Sequence, residues 1–231
     1  MRTTEINTFY NLLQEVEKKF PRRPLGKLLT LKKNIPNQGV YFFFDQIETR
    51  ENSSDLRVVR VGTHAIHANS KATIKQRLSQ HKGPEKLFGS HRASVFRKLV
   101  GYALKNRDHL QQNQWGIPGE KSNKIVRERE KELEKDVSIY LRNLSFTILE
   151  IEGEACKNND RAYIERNTIA LLSNYNRDKI DPPSANWLGS FTKKEKIVNS
   201  GLWNSYHVDT STVDAEYFNK LHCFIDKMNT W

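Results

Sequence analysis

Gly39-Val40-Tyr41-Phe42-Phe43-Phe44 and Val58-Val59-Arg60-Val61-Gly62 are the two most strand-like runs in the chain. Aromatic and β-branched side chains suit a pleated, half-buried surface. The turn-forming Pro36-Asn37-Gln38-Gly39 precedes the first run, and polar residues from Glu48 to Asp55 read as a hairpin connection to the second. Side chains alternate along a strand, so Tyr41 points away from Val40, Phe42 and Phe44, and Arg60 away from Val59 and Val61. The pairing predicts Tyr41 and Arg60 together on one polar face. A cation beside a phenol favours the phenolate, whose pKa is about 10 in model peptides. Taken singly, a strand tyrosine is more often a plain core residue.

Helical spacing surrounds this hairpin. Ile6, Tyr10, Leu13 and Val16 predict an opening helix over 3–20, followed by a Pro/Arg connector at Pro21–Pro24. Thr73–His81 reads as a short helix, and Arg92–Asn106 as a longer one with Phe96, Leu99, Val100, Ala103 and Leu104 inward. Gln111–Asn123 carries Gly116, Pro118 and Gly119 and reads as an exposed loop. Lys124–Arg142 is a charged helix with Val126, Leu133, Val137 and Tyr140 as its buried stripe, and its exposed face carries pairs such as Glu128/Lys131. A third strand is expected over Leu144–Ile151, a helix over Asp160–Asn174, an irregular segment from Asp181 to Trp203, and a last helix over Val213–Met228. The expected fold is α+β: a small antiparallel sheet of about three strands flanked by helices, with helical additions at both ends. We read 1–231 as a single domain, with a core at about 39–186 and a C-terminal extension at 187–231.

Composition limits the class of partner. Lys and Arg total 38 against 27 Asp and Glu, a formal charge of +11, which favours a polyanion because each neutralised phosphate releases counterions. No basic amphipathic segment stands apart from the fold, and the longest wholly apolar run is Val40–Phe44, so no membrane association is expected. Cys156 and Cys223 are too few for a disulfide framework, and Met1–Phe20 lacks a signal-type apolar block, so a cytoplasmic location is expected. There is no P-loop or dinucleotide fingerprint, so no nucleotide cofactor is expected. His64 and His67, three apart without a second convergent pair, do not make a zinc site.

A few polar residues carry chemistry. Arg77 and His81 are four apart and share one helical face, pairing a bidentate phosphate grip with a group that holds or moves a proton near neutrality. Alone, such a pair is usually a surface accident. Glu165 lies at the edge of an apolar stripe, where its carboxylate could meet a magnesium ion. Most helix glutamates are merely exposed. His91, Arg92 and Arg97 surround a predicted helix N-terminus and make a candidate backbone-phosphate site.

In this order along the chain, the residues resemble the GIY-YIG nuclease superfamily. Gly39-Val40-Tyr41 stands for its first motif element and Arg60-Val61-Gly62 for its second; Arg77-x-x-x-His81 matches the helix arginine and its His or Tyr partner. Glu165, within Tyr163-Ile164-Glu165-Arg166-Asn167, matches the metal-binding glutamate. The second tyrosine of the family is Arg60 here, a basic replacement that places the chain nearest the restriction-endonuclease-like branch. The family's late asparagine is matched by Asn186 in Pro183-Ser184-Ala185-Asn186, with Asn174 and Asn176 nearer to Glu165.

The resemblance implies a Mg²⁺- or Mn²⁺-dependent endonuclease acting on double-stranded DNA, with a homodimer admitted as its assembly. Its catalytic set would be Tyr41, Arg60, Arg77, His81, Glu165 and Asn186, with Glu165 holding the metal. The alternative is a protein that binds nucleic acid on the same fold without cutting it.

Overall fold

The computed structural model describes residues 1–31, 34–65, 68–111, 115–117 and 124–231. Most of the loop expected over Gln111–Asn123, and His67 of the His64/His67 pair, lie outside the described residues. The architecture is α+β, with one antiparallel sheet between two layers of helices. Its strands β1 (Arg23–Pro24), β2 (Gly39–Thr49), β3 (Leu56–Gly62) and β4 (Ser145–Glu150) run in the order β1-β4-β2-β3. The Pro/Arg stretch is therefore more than a connector: Arg23 and Pro24 pair with Phe146 and Ser145. Proline, lacking an N–H, is at home on such an edge.

The register decides what the sheet presents. Tyr41 faces Gly62 and Phe43 faces Arg60, so Tyr41, Phe43 and Arg60 share a face, as alternation predicts. That face is apolar rather than polar, because helices cover it. Phe43 packs against Phe96 at 5.6 Å between ring centroids, and the Arg60 guanidinium lies 4.6 Å over the same Phe96 ring. Val40, Phe42 and Phe44 point to the opposite layer, where Phe42 meets Phe9 of α1 (Arg2–Lys19). With helices on both sides, all six residues of β4 are buried and no wet face remains.

Strand β2 runs on to Thr49, two residues into the expected connection, and Glu48 there is buried and paired. Its carboxylate accepts from Arg57 Nε at 2.8 Å and Nη2 at 2.6 Å, and also from Ser184 Oγ and N–H. Arg57 in turn donates to the Gly201 carbonyl. This buried pair ties the segment from Asp181 onward to the sheet. The segment contains a 3₁₀ turn at Leu188–Thr192 and a short helix, α6 (Glu195–Ser200).

Helices α2 (Ile74–Lys82), α3 (Val95–Arg107) and α4 (Lys124–Asn143) pack on the Tyr41 side. Helices α1, α5 (Asp160–Leu172) and α7 (Tyr217–Lys227) occupy the other side. The helix expected from Arg92 begins at Val95 instead, because the Ser94 side chain accepts from Arg97 N–H and caps it. Residues His91–Ala93 form a separate 3₁₀ turn before it. Among the described residues, no helix is long and apolar enough to cross a membrane.

A buried polar column joins these layers on the Tyr41 side. Arg97 donates to Glu134 Oε2, to the Glu134 carbonyl, to Ser138 Oγ and to the His81 carbonyl. Glu134 also accepts from His91 N–H and pairs with His91 Nδ1 at 2.9 Å. Arg97 is wholly buried (0% exposed), so loss of its carboxylate strands a charge in the core. Glu134→Ala should lower unfolding free energy by about 3–5 kcal/mol, read from the denaturant midpoint. A loss below about 1 kcal/mol would show that Arg97 does not depend on this partner.

Candidate active site

The ends of β2 and β3 come together where Tyr41 opposes Gly62. A Cβ on Gly62 would sit 2.3 Å from the Tyr41 hydroxyl, so only glycine leaves room for this ring. Tyr41 is 1% exposed and its hydroxyl, buried among rings, needs a partner. It finds His81 Nε2 at 2.9 Å, one turn beyond Arg77 on α2. His81 Nδ1 in turn meets Ser94 Oγ at 2.8 Å. Burial, reinforced by the charges of Arg77, Arg60 and Arg97, holds His81 well below its ordinary pKa. The ring is therefore neutral and has one donor and one acceptor nitrogen.

A cleft of about 380 Å³ opens above Tyr41. Tyr41, Arg60, Arg77 and Glu165 all line it, together with Thr63 and the segment from Asn204 to His207. Arg60 donates to the Trp203 carbonyl, while its buried Nε–H has no hydrogen-bond partner among the described residues. Burial lowers the Arg60 pKa, and the neighbouring Arg77 charge adds to this.

Glu165 reaches the cleft from α5, whose start is set by Asn159 capping Ala162 N–H. The residue as a whole is half-buried. Burial pushes its pKa up to about 7, against the opposing pull of Arg60, the Thr63 backbone N–H and Arg77. One carboxylate flanked by two arginines is suited to an anion, a hard cation, or both at once. Among the described residues, no cluster of three or more His, Cys, Asp or Glu side chains could enclose a metal by itself.

Five of the residues singled out from the sequence thus converge: Tyr41, Arg60, Arg77 and Glu165 on the cleft, and His81 directly beneath. Asn186 does not; it lies exposed on a turn and does not line the cleft. Asn174 is buried and clamps its own loop, its side chain meeting both N–H and C=O of Ile180. Asn176 is an exposed turn residue with φ of 54°. The asparagine in the cleft wall is Asn204, whose amide takes Val61 N–H at 3.1 Å and donates to the Val61 carbonyl at 2.8 Å. Beside it, Trp203 N–H donates to the Val59 carbonyl, so the chain here doubles the open edge of β3.

The candidate phosphate site on α3 is also drawn inward. Arg97 and His91 are buried against Glu134, and Arg92 makes a bidentate pair with Glu130 at 2.6 and 3.0 Å. These charges are spent within the fold because α4 brings Glu130 and Glu134 opposite them. Ser94, Thr63 and Asn204 went unnoticed as site residues; only Ser94, three before Arg97 at the head of an apolar run, carries a local signal.

The profile of the GIY-YIG domain matches residues 1–231. The chain belongs to the GIY-YIG family. This is a nuclease family, and nucleic acid is accordingly the substrate class of the chain. The match extends through 187–231, the stretch that supplies the Asn204–His207 wall to this GIY-YIG cleft. No curated protein and no solved structure matches the chain.

The raised Glu165 pKa has a consequence for the metal-free protein. From pH 4.5 to about 7 the unfolded chain releases this proton before the folded one does, so stability falls as pH rises through that window. Glu165→Gln removes the titration. The variant should match the wild type near pH 4 and exceed it at pH 8 by ~1–2 kcal/mol, allowing for screening by the open cleft. Denaturant melts in EDTA test this; equal stability at pH 8 would refute the shift.

Proposed function

We propose that the chain is a divalent-metal-dependent endonuclease that hydrolyses phosphodiester bonds of double-stranded DNA, in a restriction or defence setting. The observation that carries this reading is the convergence of Tyr41, Arg60, Arg77 and Glu165 on one cleft, with Tyr41 hydrogen-bonded to neutral His81. The formal charge of +11 favours a phosphate polymer. The basic residue at position 60, in place of the family's second tyrosine, favours the restriction-like setting.

Glu165 fits a magnesium or manganese ion as a single hard oxygen ligand, with water and phosphate oxygens supplying the rest. When bound, such an ion polarises the phosphate and stabilises charge on the leaving oxygen. The chain's own residues do the remainder. Tyr41, as its phenolate, takes a proton from the attacking water while His81 Nε2 holds the phenol oxygen in place. For this, neutral His81 would donate its Nε2 proton to the phenolate and accept at Nδ1 from the Ser94 hydroxyl, whose oxygen also caps α3. Arg77 grips the phosphate and offsets the charge that grows on its oxygens as the water bonds to phosphorus. Arg60, fixed over Phe96 and to the Trp203 carbonyl, holds a positive charge beside the phenol as it loses its proton.

Supercoiled plasmid incubated with the protein and Mg²⁺ should be nicked or linearised, and EDTA should stop the reaction. Glu165→Ala should reduce cleavage by at least about a thousandfold while duplex binding in a mobility shift persists. Normal cutting by the Glu165→Ala protein would sink the assignment. Binding without any nicking by the wild type across several DNAs would favour a non-catalytic binder instead.

A further inference from the structure

The wall formed by Asn204–His207 carries an aromatic ring with no partner inside the protein. Tyr206 is 78% exposed, and it makes no hydrogen bond, ring contact or cation contact among the described residues. The other strongly exposed aromatic residue, Phe88, is covered by the Lys131 ammonium 4.9 Å over its ring. Scattered exposed apolar side chains are ordinary on a soluble protein. What separates Tyr206 from them is where it stands and how it is held.

It lines the same cleft as Arg77 and Glu165. The span that carries it is three residues long, Ser205 to His207, and is pinned at both ends. On one side Asn204 binds both backbone groups of Val61. On the other, Val208 is buried and its carbonyl accepts from Ser173 Oγ, the residue that ends α5, at 2.6 Å. Between them His207 adopts the left-handed region with φ of 65°, which costs a non-glycine residue energy unless the surroundings impose it. A flat ring is thus presented to solvent on a short, tethered span in the wall of the cleft that holds Arg77 and Glu165.

We propose that Tyr206 is a substrate-binding residue that stacks on the nucleobase beside the scissile phosphate, unstacked from its neighbours when the strand enters the cleft. This rests on the nuclease reading of the cleft. Stacking on an aromatic side chain is tolerant of base identity and needs no hydrogen bond from the tyrosine hydroxyl. A ring pinned before binding loses little freedom on contact, so more of the stacking energy appears as affinity. The base held on Tyr206 and the phosphate held on Arg77 would bind the strand at two adjacent points, in bound substrate and transition state alike.

The test uses fluorescein-labelled oligonucleotides, single-stranded and duplex, with the full-length protein in EDTA. Binding is followed by anisotropy and cleavage of the same DNAs is then followed in Mg²⁺. Tyr206→Ala should weaken binding about tenfold and raise KM by a similar factor with kcat kept, since stacking is shared by bound substrate and transition state. Tyr206→Phe and Tyr206→Trp should bind as the wild type does. Unchanged binding by Tyr206→Ala overturns the stacking proposal and leaves the nuclease reading standing. An equal loss in the Phe and Ala variants, or a fall in kcat with KM kept, also overturns it, because the hydroxyl or the chemistry would then be involved. No binding of either polymer by the wild-type protein overturns the nuclease reading and the proposal with it.

Discussion

The structure depends on a hydroxyl that has to be satisfied in the middle of an apolar core. Tyr41 lies between Phe43 and the helices, and its oxygen is answered by His81; His81 is answered by Ser94, which caps α3 through Arg97 N–H. The Arg97 guanidinium continues the column by holding the His81 carbonyl and reaching Glu134. One strand and three helices are therefore joined by polar groups, each answered by the next. A buried network of this kind rigidifies only while every member is satisfied, and loses heavily when one is removed. The relative positions of β2, α2, α3 and α4 are fixed by the same atoms that orient the phenol.

That coupling explains why the site sits at one end of the sheet. Tyr41 can occupy its slot only because Gly62 opposite has no side chain, and Gly62 ends β3 just before Thr63, whose backbone N–H opposes the rise in the Glu165 pKa. Tyrosine, missing side chain and carboxylate anchor thus follow from a single stretch of strand pairing. The open edge of β3 is closed by Trp203 and Asn204, and this also sets Arg60, whose guanidinium holds the Trp203 carbonyl. The cleft wall and the edge protection of the sheet are one feature.

What was legible in the sequence followed from periodicity. Strand alternation puts Tyr41 and Arg60 on one face, and helical spacing puts His81 one turn from Arg77; both hold in the structure. The polarity of that face was misjudged because nothing local says that α3 will lay Phe96 across it. The cationic run at 91–97 shows the same limit. His91, Arg92 and Arg97 are basic residues at a helix start, and their inward fate is decided by Glu130 and Glu134 more than thirty positions later. Asn186 fits a short pattern, yet the asparagine that reaches the cleft is Asn204, placed there by pairing with a strand some 140 residues earlier in the chain. Order along the chain locates groups whose elements are self-evident, and fails for side chains recruited by tertiary pairing.

Arg60 constrains how the proposed chemistry divides. A tyrosine at this position could exchange a proton with water or relay one to its neighbour. A guanidinium cannot, since it stays protonated throughout any accessible pH even where burial lowers its pKa. In the proposed reaction proton transfer would therefore fall to Tyr41, with neutral His81 holding the phenol oxygen in place. The compensation is electrostatic. With Arg60 and Arg77 both facing Glu165, the metal-free cleft holds two fixed cations against one carboxylate that burial keeps reluctant to ionise. In the proposed reaction a phosphodiester would bring the missing negative charge, and with it the condition under which Glu165 could take a divalent cation. Anion and metal would then favour each other's binding, which would couple the closing of the charge balance to the arrival of the substrate.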